Sequence, residues 1–159
     1  MTEANPPDSD RLRAMAMRWL HRTDRSRRHI ETRLLERGGD PSDVRAVLED
    51  FIERGWINDR RCAEALRDRW CRTAPMAPDA LAARLEAEGI ERELALEISR
   101  DNEPSPVELA VQLAAQRLPR LADLPPETRA RRLLGLLARR GFEEEVALEA
   151  LERLAVLPE

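Results

Sequence analysis

The side chains that could carry out catalysis or bind a metal ion are few and widely separated in this sequence. His21 and His29 are the two histidines, and neither lies at metal-ligand spacing from a cysteine. His29 stands on a polar helix face, which predicts a solvated or capping role. Acidic pairs are plentiful, but they occupy charged helix faces and lack the buried surroundings that a general acid and base need. With no glycine-rich phosphate-binding motif either, we expect a protein that is not an enzyme and needs no cofactor or metal ion.

The two cysteines, Cys62 and Cys71, lie on one predicted helix. At a rise of 1.5 Å per residue they are about 13 Å apart on opposite faces, whereas a disulfide needs Cα atoms within roughly 7 Å. Two cysteines that cannot pair fit a reducing cytoplasm. The sequence shows no signal peptide and no apolar run near eighteen residues, so we expect a cytoplasmic protein with no membrane segment.

The composition predicts an all-α fold. Ala, Leu, Glu and Arg dominate, there are only 6 glycines, and β-branched residues never alternate as they do in strands. Glycine and proline punctuation divides the chain into nine short helices. Among the start signals are Ser26, Asp40-Pro41, Pro78 and the capping box Ser105 to Glu108.

The punctuation also repeats along the chain. In three places a leucine stands four residues before a glycine, and an aliphatic residue follows five after it. The three sets are Leu35, Gly39 and Val44; Leu85, Gly89 and Leu94; Leu137, Gly141 and Val146. We therefore predict a flexible tail, residues 1–10, followed by three tandem three-helix repeats, residues 11–57, 58–103 and 104–159. Such short units gain stability by stacking on their neighbours.

The connector between the first two repeats contains a tryptophan. Gly55 is predicted to end the third helix and Asp59 to cap the fourth. Trp56 and Ile57 between them are expected to bury against both repeats and to fix the angle between them.

Charge is segregated within the repeats. All 27 basic residues are arginine and the net charge is −4. Residues 11–37 carry a net +6 and residues 117–140 a net +5, whereas residues 40–53, 86–108 and 141–159 carry −4, −6 and −5. One interpretation is that complementary faces pair within a repeat. The other is a basic groove lined by first and second helices, suited to an acidic polymer or an acidic protein surface.

Three stretches resemble the RecX family of bacterial modulators of the RecA recombinase. They are AMRWLHRTDRSRRHIETRLLERG from Ala16, VLEDFIERGWINDRRCAEALRDRW from Val47 and APDALAARLEAEGIERELALEI from Ala77. The match is closest in the first two repeats and is carried in the third mainly by ARRGFEEEVALEAL. The resemblance implies an elongated, curved body of three three-helix repeats that lies in the groove of a RecA filament on single-stranded DNA. It also implies inhibition of filament growth, recombinase ATPase and strand exchange.

Clustered arginines are the candidate contacts with filament protein or DNA, because guanidinium groups pair with carboxylates and phosphates. They are Arg25, Arg27, Arg28 and Arg33 in the first repeat, Arg67, Arg69 and Arg72 in the second, and Arg129, Arg131 and Arg132 in the third. We expect a monomer that binds free single-stranded or duplex DNA weakly at most. Two alternatives stay open: a helix-turn-helix-like transcriptional regulator that reads DNA sequence, and a helical scaffold that binds a protein without DNA.

Overall fold

The computed structural model describes residues 6–101 and 104–157, and within these ranges it contains helices and no strand. The all-α prediction is confirmed. The helices are α1 (Ser9–Arg22), α2 (Arg27–Glu36), α3 (Pro41–Glu53), α4 (Asp59–Cys71), α5 (Pro78–Ala87), α6 (Arg92–Arg100), α7 (Pro106–Arg117), α8 (Pro126–Arg139) and α9 (Glu144–Arg153), with a 3-10 turn over Leu118–Leu121 after α7.

Helix starts follow the local signals closely. Asp8, Ser26, Asp40, Asn58 and Ser105 each accept a hydrogen bond from a backbone N–H of the first turn that they cap. The capping box predicted from Ser105 to Glu108 is present. Helix α1 begins at Ser9, inside the range predicted as a tail, because Asp8 caps it. Two parts of the predicted organisation lie outside the described residues. They are residues 1–5 of the tail and residues 102–103, next to the predicted boundary between the second and third repeats.

Three apolar clusters organise the helices into three groups of three, and the cluster of the last group also includes Ala77 of the preceding group. We call α1 to α3 unit one, α4 to α6 unit two, and α7 to α9 with the 3-10 turn unit three. Leu34, Leu85 and Leu137 are each fully buried at the centre of their own cluster. Burial of one such leucine contributes about 1.5–3 kcal/mol, so each unit has its own stabilising core.

The glycines that end the second helices place unit one in a register different from the predicted one. Gly38, Gly89 and Gly141 all have positive φ, at 84°, 90° and 85°. In each, the next residue's N–H bonds to the carbonyl of the leucine four residues before the glycine, and that leucine is Leu34 in unit one. The pairing of Leu35 with Gly39 was therefore wrong by one residue. Leu35 is 41% exposed, in keeping with its place outside the core.

Gly39 then corresponds to two buried apolar residues, Ile90 and Phe142, in units two and three. A Cβ on Gly39 would lie 2.8 Å from Val44 and 2.9 Å from Leu12. In unit one the core side chain Leu12 of α1 thus fills the space that a residue after the turn fills in the other units. The doubled glycine concealed this correspondence in the sequence.

Units one and two meet where the α5–α6 turn contacts the start of α2. The Ser26 hydroxyl, itself the N-cap of α2, donates to the carbonyl of Glu88 at 2.7 Å. A Cβ on Gly89 would lie 2.6 Å from the same hydroxyl oxygen, so the backbone approaches closely here. On the other side of the start of α2, the carboxylate of Asp59 accepts from the backbone N–H of Arg27 at 2.7 Å.

Units two and three meet in the same manner. The N–H of Ala77, the N-cap of α5, donates to the carbonyl of Arg140 at 3.1 Å. Gly141 then packs directly on Ala80. The Arg140 guanidinium also donates to the carbonyl of Pro75 at 2.9 Å and to that of Ala74. In both joints the residue before the turn glycine offers its carbonyl to the N-cap residue of the preceding unit's second helix.

The connector between units one and two differs from its prediction in two respects. Asn58 caps α4, and Asp59 is its first residue, free to reach α2. Trp56 is 40% exposed, and its ring contacts are to Phe51 edge-on at 5.1 Å and to the Arg54 guanidinium at 5.1 Å, both of unit one. The expected burial of Trp56 against both units is therefore not observed.

The reason lies in the turn after α3. Gly55 has a φ of 71°, and the N–H groups of Trp56 and Ile57 both bond to the carbonyl of Phe51, which folds the connector back on unit one. Ile57 is accordingly buried in the core of unit one. The Arg61 guanidinium holds the connector from unit two, because it donates to the carbonyl of Gly55 at 2.9 Å and pairs with Asp24 at 2.8 Å.

Candidate partner-binding surface

The candidate metal ligands do not form a metal site in the part of the chain that the structure describes. That part holds no group of three or more His, Cys, Asp or Glu side chains that could hold a metal ion. Burial raises the pKa of the Cys62 thiol to about 11, and burial also raises the pKa of Cys71. Neither thiol is therefore a nucleophilic thiolate at neutral pH.

His29 occupies the joint between units one and two, where it is half-buried at the edge of an open cleft, so the expected solvation is only partial. Its Nε2 atom is buried and has no hydrogen-bond partner among the described residues. Burial, and then the positive charges of Arg25 and Arg33, lower the pKa of His29 below its usual value of 6.5, against smaller opposing effects of Glu88 and Glu36. The imidazole is thus neutral at physiological pH.

The predicted arginines of unit one are partly used within the fold. Arg33 is half-buried with its guanidinium 4.5 Å from the centre of the Trp19 ring, and Arg27 pairs with Glu31 at 3.4 Å. Arg28 is exposed and lines a cleft of about 530 Å³ beside the joint, which Arg33 also lines. Arg25 is half-buried before α2.

In unit two, Arg67 is half-buried and pairs with the neighbouring Asp68 at 3.1 Å. Arg69 and Arg72 are exposed at the C-terminal end of α4. The guanidinium of Arg84 lies 4.1 Å from the centre of the Trp70 ring. This stacked pair repeats the Trp19 and Arg33 pair of unit one at the same separation of 14 residues, a signal that was present in the sequence and was missed.

Unit three brings two of its three predicted arginines into one cleft. Arg131 and Arg132, both exposed, line a cleft of about 420 Å³ together with Arg117 and Arg139. Arg129 is half-buried, and its Nε atom is buried without a partner among the described residues. Arg117 and Arg139 were not among the predicted contacts, although both fall in the stretch of residues 117–140 that carries a net +5.

Ion pairs join first and third helices in two of the units. Arg13 of α1 pairs with Asp50 of α3 at 2.5 Å, and Arg60 of α4 pairs with Glu97 of α6 at 2.8 Å. Pairing of complementary faces within a unit, one of the two interpretations of the charge pattern, is therefore observed in units one and two. Within the described ranges no such pair joins α7 to α9.

The fold and the arginine-lined clefts define a class of all-helical proteins built from small stacked units, and comparisons with known proteins name the family. No model of a known protein family matches the chain. It is 35% identical over 138 residues to the Regulatory protein RecX of Thermobifida fusca, covering 86% of this chain and 75% of that protein. It is 32% identical over 145 residues to the Regulatory protein RecX of Streptomyces coelicolor, covering 91% and 77%. The chain belongs to the RecX family of regulatory proteins.

Solved structures show the same fold. The crystal structure of RecX from Lactobacillus salivarius superposes with a TM-score of 0.78 at 18% identity, covering 94% of this chain and 97% of that one. A second crystal structure of regulatory protein RecX gives a TM-score of 0.70 at 19% identity, covering 96% and 82%. Among the described residues, no helix is long and apolar enough to cross a membrane.

Proposed function

We propose that this protein regulates a RecA-type recombinase in the cytoplasm, by binding recombinase filaments on single-stranded DNA as a monomer. It inhibits filament growth, recombinase ATPase and strand exchange. The observation that carries the proposal is the similarity to proteins named Regulatory protein RecX over most of the chain. The fold supports a binding role, because successive units are joined by hydrogen bonds and exposed arginines occur on all three of them.

The mechanism proposed is the sum of many modest contacts along a groove. Small contacts made by linked units add because each later one is effectively intramolecular. Arginines supply these contacts through paired hydrogen bonds to recombinase carboxylates or to phosphates. The proposed contact groups are the predicted arginines that are exposed: Arg27, Arg28, Arg69, Arg72, Arg131 and Arg132. The remaining predicted contacts, Arg25, Arg33, Arg67 and Arg129, are half-buried and would act mainly by supporting these groups.

The experiment is a titration of recombinase ATPase on single-stranded DNA with the wild type and three double variants. These replace Arg27 and Arg28, Arg69 and Arg72, or Arg131 and Arg132 by Glu. We expect at least one pair to weaken inhibition about tenfold or more, since removing a hydrogen bond to a charged group costs about 1.5–3 kcal/mol.

The matched control reverses two exposed arginines of the acidic third helices, Arg45→Glu with Arg92→Glu. It makes the same change in net charge and is expected to leave inhibition unchanged. Wild-type protein without any effect on the recombinase would overturn the proposed function. Inhibition that survives all three double variants would contradict the proposed arginine contacts but not the proposed regulatory function.

A further inference from the structure

The apolar cores of the three units are connected at one joint and separate at the other. The core of unit three includes Ala77, the N-cap residue of α5, and the neighbouring Ala74 and Ala80 of unit two also pack against it. By contrast, the core of unit one consists of residues of α1 to α3 with Ile57 of the connector, and the core of unit two lies within α4 to α6 and the segments between them. Among the residues that the structure describes, neither of these two cores includes an apolar side chain of the other unit.

Units one and two are held together by polar contacts at the start of α2. From unit two these contacts come from the Glu88 carbonyl, the Asp59 carboxylate and the Arg61 guanidinium, and on the α2 side they all end within residues 24–27. The side chains of Arg61 and its partner Asp24 are 46% and 32% exposed. Exposed ion pairs contribute little to stability and are screened by salt. The joint is therefore small, polar and confined to one end of α2.

A cleft of about 530 Å³ separates the two units beside this contact. One wall is formed by side chains of α2 from Arg28 to Glu36, and the other by the α5–α6 turn from Glu86 to Gly89. Eight residues of α2 span about 12 Å, so the cleft extends for more than two helical turns away from the contact at Ser26. Contact at one end of α2 and open space along the rest allow unit one to turn about the start of that helix.

The two walls of this cleft carry opposite net charges. Arg28, Arg33 and Glu36 line the unit-one wall, whereas Glu86 and Glu88 line the unit-two wall. In the described ranges, no ion pair within 4.0 Å crosses from one wall to the other. Opposite charges attract over longer distances until salt screens them. Low salt should therefore favour turning of unit one toward the α5–α6 turn.

The second joint also borders a cleft, but its contacts are of a different kind. This cleft has a volume of about 410 Å³ and is lined by Pro78 of unit two with Phe142 and Val146 of unit three, among others. Beside it, Ala77 is buried in the core of unit three, and Arg140 donates to carbonyl oxygens of unit two. Turning unit three would remove apolar surface from that core, which the hydrophobic effect opposes. Units two and three should therefore move as one body.

We propose that unit one is an arm hinged on a rigid body made of units two and three. The arm turns about residues 24–27 and the connector, and its movement narrows or widens the cleft of about 530 Å³. Hinges of this kind act at the ends of elements, on microsecond to millisecond timescales. A partner that contacts unit one together with either other unit would select one position of the arm. The hinge is a property of the isolated chain and does not depend on the proposed regulation of a recombinase.

The test is double electron–electron resonance on the full chain with pairs of nitroxide labels. The labels are attached through Ser42→Cys, Glu93→Cys and Glu145→Cys, which are exposed positions four residues after the turn glycine of each unit. Cys71→Ala removes the more accessible natural thiol. Cys62 is 3% exposed and burial raises the pKa of its thiol, so it does not react in the folded protein.

The two joints should give different distance distributions. Labels at positions 42 and 93, across the first joint, should give a broad distribution, and labels at positions 93 and 145, across the second, a narrow one. Between about 0.1 and about 1 M salt the screening length falls from about 10 Å to about 3 Å. The mean distance across the first joint should therefore shift with salt, while that across the second stays the same. Equal widths, or equal responses to salt, would overturn the proposal.

Arg28→Glu tests the charges of the cleft walls. It makes both walls acidic and should shift the mean distance across the first joint in the same direction as high salt. Addition of Glu86→Arg to this variant should return the distance toward that of the wild type. The control Arg18→Glu makes the same change in net charge at an exposed position of α1 that does not line the cleft, and should leave the distribution unchanged.

Far-UV circular dichroism equal to that of the wild type establishes that each variant is folded. An equal shift by Arg18→Glu and Arg28→Glu would contradict the hinge, as would failure of Glu86→Arg to reverse the effect of Arg28→Glu. Because recombinase is absent throughout, these outcomes are independent of the ATPase titration that tests the proposed function.

Discussion

At the scale of residues, two glycines of similar conformation have different consequences. Gly89 and Gly55 both have positive φ, at 90° and 71°. A Cβ on Gly89 would collide with the Ser26 hydroxyl, whereas a Cβ on Gly55 would meet nothing within 4 Å. The backbone conformation favours glycine at both positions, but only Gly89 is also required for the contact between units.

We expect Gly89→Ala to destabilise the protein by about 2–4 kcal/mol, because the left-handed conformation and the collision both disfavour the folded state. Gly55→Ala, the matched control, should cost about 1–2 kcal/mol from conformation alone. Urea unfolding of the two variants and the wild type measures both values. Equal destabilisation would show that the close approach of Gly89 to Ser26 contributes nothing.

His29 gives the joint between units one and two a dependence on pH. Its pKa is lowered in the folded state, first by burial and then by Arg25 and Arg33. The unfolded chain therefore binds a proton near pH 6.5 that the folded protein does not. The contribution of neutral His29 to the free energy of unfolding is therefore complete above about pH 6.5 and declines as the pH falls through that value.

We therefore expect the wild type to lose stability relative to His29→Gln between about pH 7.5 and pH 5. Glutamine keeps a polar group of similar reach but does not titrate. Urea unfolding at a series of pH values measures the difference in unfolding free energy. A difference that stays constant, or that grows in favour of the wild type on acidification, would contradict the lowered pKa.

At the scale of elements, the ends of helices make most of the bonds that join units. The start of α2 contacts unit two through Ser26 and the backbone of Arg27, and the start of α5 contacts unit three through Ala77. Helix ends have backbone groups without partners inside the helix, which makes them suited to bonding with a neighbouring unit. The residues at these helix ends thus both begin or end a helix and bond one unit to the next.

Arg140 supports the second joint from the end of α8. Its guanidinium donates to the carbonyls of Pro75 and Ala74 in the segment before α5, and Pro75 is buried. We expect Arg140→Ala to cost about 1–3 kcal/mol, since the buried carbonyl of Pro75 loses its donor. The exposed neighbour Arg139→Ala should change the unfolding free energy by no more than about 0.5 kcal/mol. Thermal and urea unfolding measure both, and equal destabilisation by the two would contradict a role for Arg140 in the joint.

At the scale of the whole molecule, arginine serves two purposes, one structural and one at the exposed surface. In units one and two, four guanidinium groups stack on tryptophan or bridge first and third helices: those of Arg33, Arg84, Arg13 and Arg60. In the described part of unit three, other guanidinium groups gather at a cleft without carboxylate partners. One residue type therefore both stabilises the fold and supplies exposed positive charge on all three units. The net charge of −4 gives no sign of these two uses of arginine.

The sequence by itself determined the helical fold class, most of the helix ends and the existence of repeating punctuation. These follow from local chemistry: proline and capping side chains start helices, and glycine with positive φ ends them. Ser105 to Glu108 shows this directly, because every contact that defines the capping box lies within four residues. The resemblance to RecX proteins was also readable from local stretches.

Tertiary structure alone decided which of these residues face each other. Asp59 reads as a helix cap from sequence, yet it bonds to Arg27 across the joint while Asn58 caps the helix. The grouping of Arg117 and Arg139 with Arg131 depends on how α7 and α8 pack, which no local spacing specifies. Burial and long-range contact depend on the whole packed chain, and local propensity acts only over a few residues.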